Sequence, residues 1–166
     1  MVRQKLDCRG CGNHLSNIFI DLGKSPLANS YLKKKDINKK EKIFPLKVFV
    51  CKKCYFVQLP EFENPKKIFS EYAYFSSFSS EWVSHARNYV DMITKKLKLN
   101  DKRLVMEIAS NDGYLLQFFL KKKIPVLGIE PAKNIAKVAQ KKGITTKVEF
   151  FGTKLALKLE QEGTKP

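Results

Sequence analysis

Four cysteines form two identical pairs that could bind a metal ion. Both pairs have C-x-x-C spacing: Cys8 and Cys11, and Cys51 and Cys54. Each pair can turn tightly enough for its two sulfurs to face one point, so that four thiolates surround a single ion tetrahedrally. Zinc is the favoured ion. Four sulfurs close the coordination shell, so we expect a structural site and not a catalytic one.

Two alternatives remain for these cysteines. Iron accepts the same four sulfur ligands, and the spacing does not exclude it. The plainer alternative is four buried thiols without a metal. His14 is near the first pair in sequence, but four sulfurs already complete the shell, so we expect its side chain beside the site or at the surface.

A second set of polar residues follows a short apolar run at residues 104–108. Such a run is typical of a buried parallel strand, and an apolar pattern with helical spacing begins at Tyr114. A strand, turn and helix in this order direct backbone N–H groups at the crevice where open α/β sheets bind ligands. The strand and turn carry these candidate ligand-binding residues: Glu107, Ala109, Ser110, Asn111, Asp112 and Gly113.

The acidic residues at two strand ends indicate which nucleotide-like ligand fits. Dinucleotide folds use G-x-G-x-x-G to admit a pyrophosphate, but the turn here has one glycine, Gly113. Glu130 ends the next apolar run, and a carboxylate there can accept both ribose hydroxyls. Glu107 and the turn amides suit a ligand with an ammonium group and a sulfonium cation. These features describe S-adenosylmethionine.

Two motifs carry a resemblance to a known family. The sequences E-I-A-S-N-D-G-Y-L-L at 107–116 and G-I-E-P-A at 128–132 closely resemble the S-adenosylmethionine-dependent sugar C-methyltransferases, which act on nucleotide-linked keto-deoxysugars. Further segments are similar in the same order, and the resemblance covers nearly the whole chain. These segments are the two cysteine pairs and residues 21–29, 72–77, 85–86 and 149–151.

The resemblance implies a zinc-binding domain, S-adenosylmethionine as cofactor and a nucleotide-sugar substrate. It places residues 69–78, which mix aromatic residues with serines, at the border of the active site. Tyr72 and Tyr74 are therefore candidates for substrate binding, while the role of His85 stays open. The histidine and tyrosine that deprotonate the sugar carbon in this family are expected beyond residue 166, so no catalytic residue is assigned in this chain.

The predicted fold class is α/β with three regions. Residues 1–62 are predicted to be a small β-rich zinc-binding domain, and residues 63–101 an aromatic, serine-rich segment and a connecting helix. Residues 102–166 match the first half of a class I methyltransferase (Rossmann-like) domain. The predicted strands are 18–23, 44–51, 55–60, 104–108, 126–130 and 146–150, and the helices of the last region are 112–122, 133–142 and one from 155.

The charge of the chain allows a second hypothesis. Lysines and arginines outnumber aspartates and glutamates by 32 to 16, a net charge of +16. Such an excess is typical of nucleic-acid binding, and a non-enzymatic zinc-ribbon module is the alternative function. The lysines are scattered along the chain, however, so we do not expect a nucleic-acid partner.

The expected location is the cytoplasm. No apolar run approaches the length of a membrane span, and the N-terminus lacks the apolar segment of a secretory signal. The four cysteines are then thiols and not disulfides, as is usual in a reducing compartment. We expect no membrane partner.

Overall fold

The computed structural model describes residues 6–165 of the chain. The chain divides into two compact units, one up to Ile68 and the other from Phe69 onward. Among the described residues, no helix combines the length and the apolar character that a membrane crossing requires. Each unit has a three-stranded sheet of its own.

The first unit is built on an antiparallel sheet. Its strands, in spatial order, are β1 (Asn17–Ser25), β2 (Phe44–Val50) and β3 (Val57–Gln58). A 3-10 turn occupies Lys34–Asp36, and helix α1 is Pro65–Phe69. The buried cluster described in this unit is small and consists of Cys8, Leu15, Phe49 and Cys51. Because two of these four residues are cysteines, an ion bound by them would contribute a large share of the unit's stability.

The second unit is built on a parallel sheet. Its strands, in spatial order, are β4 (Val105–Ile108), β5 (Val126–Ile129) and β6 (Thr146–Lys147). Its helices are α2 (Ser80–Leu97), α3 (Leu116–Lys121), α4 (Lys133–Lys141) and α5 (Thr153–Gln161), and a 3-10 turn at Ser76–Phe78 precedes α2. Parallel strands need crossover connections, which α3 and α4 provide.

The central strand β5 is buried on both faces. Val126 joins a buried cluster with Val90 of α2 and Phe119 of α3. Leu127 and Ile129 pack instead with side chains of α5. Since neighbouring residues of a strand point to opposite faces, the sheet has helices on both sides. This layering places the carboxyl ends of β4 and β5 side by side.

The prediction of a mixed α/β fold with a parallel sheet is confirmed. Ser79 caps the connecting helix α2: its Oγ accepts the Trp82 N–H at 3.2 Å. The helix predicted over 112–122 is shorter and begins at Leu116. The reason is the preceding turn, in which Gly113 has a φ angle of 76° that an α-helix does not allow.

Candidate functional site

The four cysteine side chains meet in the first unit. Their Sγ atoms all lie within 4.8 Å of one another. The sulfurs of Cys8 and Cys54 are 3.5 Å apart, and those of Cys11 and Cys51 are 3.6 Å apart. A tetrahedral zinc ion with sulfur ligands at about 2.3 Å has ligand edges of about 3.8 Å. The structure therefore brings the four predicted ligands into an arrangement that fits zinc.

The two cysteine pairs are held by the same kind of turn. In the first, Cys8 accepts the Gly10 N–H at its Sγ (3.4 Å) and the Gly12 N–H at its carbonyl (2.8 Å). Cys51 accepts the corresponding bonds in the second pair, at 3.4 and 2.9 Å. The turns close with φ angles of 73° at Gly12 and 60° at Tyr55. The second turn thus holds a tyrosine in a conformation that favours glycine.

The thiols of this cluster ionise unequally. Burial opposes ionisation of Cys8, but hydrogen bonds from Gln58 and from backbone amides outweigh it and lower its pKa to about 6. The Phe56 amide favours the Cys54 thiolate, but desolvation and the three neighbouring thiols outweigh it and raise its pKa to about 12. Four thiolates at this spacing repel one another. A bound dication offsets their negative charge and stabilises all four as thiolates.

Gln58 is a component of this site that the sequence analysis did not identify. Its buried side chain donates from Nε2 to Cys8 Sγ at 3.2 Å and accepts the Arg9 N–H at Oε1, at 3.0 Å. His14 lies at the surface, 3.8 Å from an Asp7 carboxylate oxygen. Gln58 thus connects β3 to the first cysteine pair. The exposed His14 side chain lies beside Asp7.

In the second unit, the turn predicted to bind the cofactor connects β4 to α3. Ala109, Asn111 and Gly113 adopt positive φ angles of 58°, 49° and 76°. A Cβ on Gly113 would lie 2.2 Å from Ile144 Cδ1, so this position requires glycine. Ala109 and Asn111 each hold a conformation that costs about 1 kcal/mol or more. Strain of this kind is characteristic of turns shaped for a ligand.

Glu130 fastens this turn to the end of β5. Its carboxylate is buried and accepts the Asn111 N–H at 2.9 Å and the Ala132 N–H at 2.8 Å, one on each oxygen. Ser110 lies so close to β5 that a Cβ on Gly128 would be 2.5 Å from its Oγ. Each carboxylate oxygen can accept a second bond, so Glu130 can hold the turn and still accept a ribose hydroxyl.

Glu107, Asp112 and Glu130 form an acidic group where β4 and β5 end. Burial raises the pKa of Glu107 to about 8; a hydrogen bond from Tyr114 opposes the increase, and the charges of Asp112 and Glu130 add to it. Within residues 6–165, Glu107 Oε2, Asp112 Oδ1 and Ser110 Oγ are buried without a hydrogen-bond partner. Buried polar atoms are nearly always paired. Ser110 Oγ lies against Gly128 of β5, whereas the unpaired oxygens of Glu107 and Asp112 belong to the acidic group and are available to a ligand.

Asp112 is bound from two other elements. Its Oδ2 accepts hydrogen bonds from Ser77 Oγ and from Lys142 Nζ, the latter at 3.3 Å. It does not cap α3, whose N-terminus has no side-chain cap. Lys142 is the cation that pairs with this acidic group in the described part of the chain. The crevice therefore retains an excess of carboxylates and suits a cationic ligand.

Residues 69–78, the aromatic segment, are fastened next to this turn. The Tyr72 backbone exchanges two hydrogen bonds with the Asn134 side chain, at 3.1 and 2.6 Å. The Asn111 side chain accepts the Ser76 N–H at 2.9 Å and donates to the Tyr74 carbonyl at 3.2 Å. The structure thus brings both predicted substrate-binding tyrosines close to the turn, and half of the Tyr74 side chain is exposed.

Helix α2 reaches the same crevice through Trp82. The Trp82 ring stacks on His85 with centroids 5.4 Å apart, and on Tyr114 with centroids 6.0 Å apart. The Tyr114 hydroxyl lowers the pKa of Glu107, while His85 is exposed. Tyr114 directly follows the N-D-G motif and could have been found from that position. The contacts of Lys142 and Asn134 depend on how α4 packs and left no signal in the sequence.

Two comparisons with known proteins bear on these two separate sites. Residues 8–69 match the family model "Putative zinc binding domain". The chain is 34% identical over 146 residues to C-methyltransferase NovU of Streptomyces niveus, a match that covers 88% of this chain and 35% of that relative. The chain thus spans about a third of the length of this relative. The resemblance predicted from the sequence is confirmed: this chain is related to a C-methyltransferase and contains a zinc-binding domain in its N-terminal region.

Proposed function

We propose that this chain is part of an S-adenosylmethionine-dependent enzyme that methylates a carbon of a nucleotide-linked keto-deoxysugar. The observation that carries the proposal is the acidic group of Glu107, Asp112 and Glu130 where β4 and β5 end, with buried oxygens left unpaired. A ligand with two cationic centres and a ribose matches this group in charge and in hydrogen bonding. The relationship to a C-methyltransferase supports the same reaction class.

Each part of the cofactor has a candidate partner. Glu130 would accept the ribose hydroxyls with the lone pairs that the Asn111 and Ala132 amides leave free. The turn of residues 109–113 would bind the methionine end with its backbone. The unpaired oxygen of Glu107 would accept the ammonium group. When bound, S-adenosylmethionine supplies an electrophilic methyl group.

The aromatic segment would border the sugar. Tyr72 and Tyr74 are anchored by their backbones, and their phenol groups would position a sugar hydroxyl. In the proposed reaction a base removes the proton beside the keto group, and the resulting enolate attacks the methyl carbon held in line with it. No residue of this chain is assigned as that base, and we propose that it lies beyond residue 166.

The zinc site would be structural. Four thiolates leave no open position for a substrate or a water, so the ion would hold the first unit together and take no part in methyl transfer. Gln58 and the backbone amides would support its ligands. We further propose that the protein acts in the cytoplasm, without a membrane partner.

The competing hypothesis is a zinc-containing module that binds nucleic acid, and the net charge of +16 favours it. In the structure, several of the lysines pair with carboxylates, as Lys47 does with Asp21 at 2.8 Å and Lys147 with Glu162 at 2.6 Å. A nucleic-acid site also gives no role to the buried acidic group, which would repel phosphates. The methyltransferase hypothesis explains more of the observations.

Calorimetry distinguishes the two hypotheses. The zinc-loaded, full-length protein is titrated with S-adenosylhomocysteine and, separately, with a random oligonucleotide at about 0.15 M salt. We expect saturable binding of S-adenosylhomocysteine that S-adenosylmethionine displaces, and no measurable oligonucleotide binding. A protein that ignores S-adenosylhomocysteine and binds the oligonucleotide tightly at that salt concentration would support the nucleic-acid module.

A further inference from the structure

The side chain of Asn111 joins the cofactor-binding turn to the aromatic segment. Its Oδ1 accepts the N–H groups of Ser76 and Asp112, both at 2.9 Å, and its Nδ2 donates to the Tyr74 carbonyl at 3.2 Å. The backbone N–H of the same residue donates to Glu130 Oε2 at 2.9 Å. One residue therefore contacts both the carboxylate proposed to bind the ribose and the segment proposed to border the sugar.

Asparagine is the residue type that fits these bonds. Its amide oxygen has two lone pairs and its amide nitrogen can donate, whereas an aspartate at this position would lose the donor. Asn111 has a φ angle of 49°, a left-handed conformation in which asparagine is several-fold enriched. Both lone pairs of Oδ1 are used within the protein, so this oxygen supports the segment and not a ligand.

The aromatic segment depends on such bonds for its position. Between α1 and the 3-10 turn it lies outside the helices and strands, so it has no backbone ladder of its own. Lys133 of α4 donates its N–H to the Ser70 carbonyl at 3.1 Å, and Asn134 of the same helix holds the backbone of Tyr72. The backbone bonds farther along the segment come from Asn111. Helix α4 thus anchors the start of the segment, and the turn anchors its later part.

We propose that Asn111 is a positioning residue that couples cofactor binding to the place of Tyr74 in the substrate site. This inference rests on the proposed function, which gives the ribose to Glu130 and the methionine end to the turn. A cofactor bound there fixes the backbone of the turn, and the Asn111 side chain passes this constraint to the Tyr74 carbonyl and the Ser76 N–H. The segment that borders the sugar is then held most firmly when the cofactor is present.

Hydrogen exchange of the zinc-loaded, full-length protein tests this coupling. The amides of residues 74–77 are followed without ligand and with saturating S-adenosylhomocysteine. In the wild type we expect the ligand to slow exchange of these amides about fivefold or more, the lower end of the usual coupling between two sites. Asn111→Gly keeps the backbone N–H that donates to Glu130, and glycine adopts the positive φ angle freely. This variant should exchange faster and should not respond to the ligand.

Asn134→Ala is the matched control, because it also loosens the segment, but from α4 and not from the turn. It should exchange faster without ligand and still slow by the wild-type factor when S-adenosylhomocysteine is bound. Asn111→Asp keeps an oxygen that accepts the Ser76 N–H and loses the donor to Tyr74. Its response should therefore lie between those of Asn111→Gly and the wild type. Because every variant is measured at saturating ligand, a change in affinity does not alter these ratios.

Two outcomes would overturn the role of Asn111 and leave the proposed function intact, because S-adenosylhomocysteine still binds in both. One is an equal slowing in Asn111→Gly and the wild type, since the ligand would then act on the segment without this side chain. The other is a loss of the response in Asn134→Ala as well, since any loosening of the segment would then abolish it. If Asn111→Gly does not fold, a full wild-type response in Asn111→Asp overturns the role instead. A wild-type protein that does not bind S-adenosylhomocysteine would overturn both this role and the proposed function.

Discussion

The side chain of Gln58 donates a hydrogen bond to the sulfur of Cys8 at 3.2 Å, across 50 positions of the sequence. The same side chain accepts the Arg9 N–H, so both ends of its amide are used. Gln58 lies on β3, just after the second cysteine pair, and Cys8 belongs to the first. This single residue therefore connects the two halves of the metal site.

The first prediction is that Gln58→Leu weakens zinc retention. The substitution keeps an apolar volume of similar size, but it removes the N–H that supports the Cys8 thiolate and leaves the Arg9 N–H without its acceptor. Loss of such supporting bonds usually costs tenfold to about a hundredfold in metal affinity. Competition with a chromogenic chelator measures the change. Gln161→Leu, on the exposed end of α5, is the control and should match the wild type; equal retention in Gln58→Leu would refute the role.

The second prediction concerns the ion itself. We expect about one zinc per chain in the purified protein, and a much lower content in Cys51→Ser because serine does not replace a thiolate ligand. Since metal binding and folding are coupled in small domains of this kind, the variant should also lose amide protection around β2 and β3. Elemental analysis measures both zinc and iron. The same metal content in both proteins would rule out the site.

The sequence predicted the clustering of the four cysteines, because the signal for it is local. Two residues between the cysteines of each pair are enough to predict the turn, and the structure shows the same turn twice. Gln58 could not be predicted in this way, since its partner Cys8 lies 50 positions away in the sequence and only the tertiary structure brings the two together. Periodicity likewise predicted the parallel sheet.

The structure brings Glu130 to the turn of residues 109–113, as expected for the ends of neighbouring parallel strands, but the contacts of these residues were not predicted. Glu130 was expected to face a ribose, and it also accepts two backbone amides. Asp112 was expected to bind a ligand, and its bonds to Ser77 and Lys142 were not predicted. Hydrogen bonds of this kind follow from the path of the backbone and the packing of α4, which residue spacing does not encode.

A third prediction tests how the aromatic segment is anchored. Asn134→Ala removes both hydrogen bonds to the Tyr72 backbone, each of which contributes about 1 kcal/mol. We expect amide hydrogen exchange at Tyr72 and its neighbours to accelerate about fivefold or more, while α2 keeps its protection. Asn88→Ala, at an exposed position of α2, is the matched control. Unchanged exchange at Tyr72 would show that other contacts hold the segment.

The fourth prediction is that Glu107 makes the folded protein less stable as the pH rises from 4.5 to about 8. Burial raises its pKa in the folded protein from 4.5 to about 8, so the folded state binds more protons than the unfolded state between these values. The free energy of unfolding should therefore fall as the pH rises through this range, by at most about 1.4 kcal/mol for each pH unit.

Glu107→Gln isolates this effect, because glutamine has nearly the same shape as glutamate but cannot ionise. Compared with the wild type, the variant should have similar stability near pH 4.5 and higher stability near pH 8. Urea unfolding at a series of pH values measures the difference, and Glu160→Gln on the exposed face of α5 should follow the wild type throughout. A constant difference between the Glu107→Gln variant and the wild type across this range would mean that Glu107 is already ionised in the folded protein.

The last prediction separates the two roles of Glu130. Its carboxylate holds the Asn111 and Ala132 amides, and the proposed function gives it the ribose hydroxyls as well. Glu130→Ala should therefore weaken S-adenosylhomocysteine binding by about 1.5 to 3 kcal/mol, the range for hydrogen bonds to a charged group. It should also lower the free energy of unfolding, since two amide groups lose their acceptor. Glu130→Gln retains one acceptor oxygen, so we expect an intermediate loss of stability.

Calorimetry and urea unfolding of the same variants measure the two effects. Adenine-containing ligands without ribose hydroxyls, such as the 2′,3′-dideoxy analogue of S-adenosylhomocysteine, provide the control. Wild type and Glu130→Ala should bind that analogue with similar affinity if the hydroxyls are what Glu130 recognises. If the substitution weakens the analogue as much as S-adenosylhomocysteine, Glu130 acts on the turn alone, because the lost affinity then comes from the Asn111 backbone and not from the ribose.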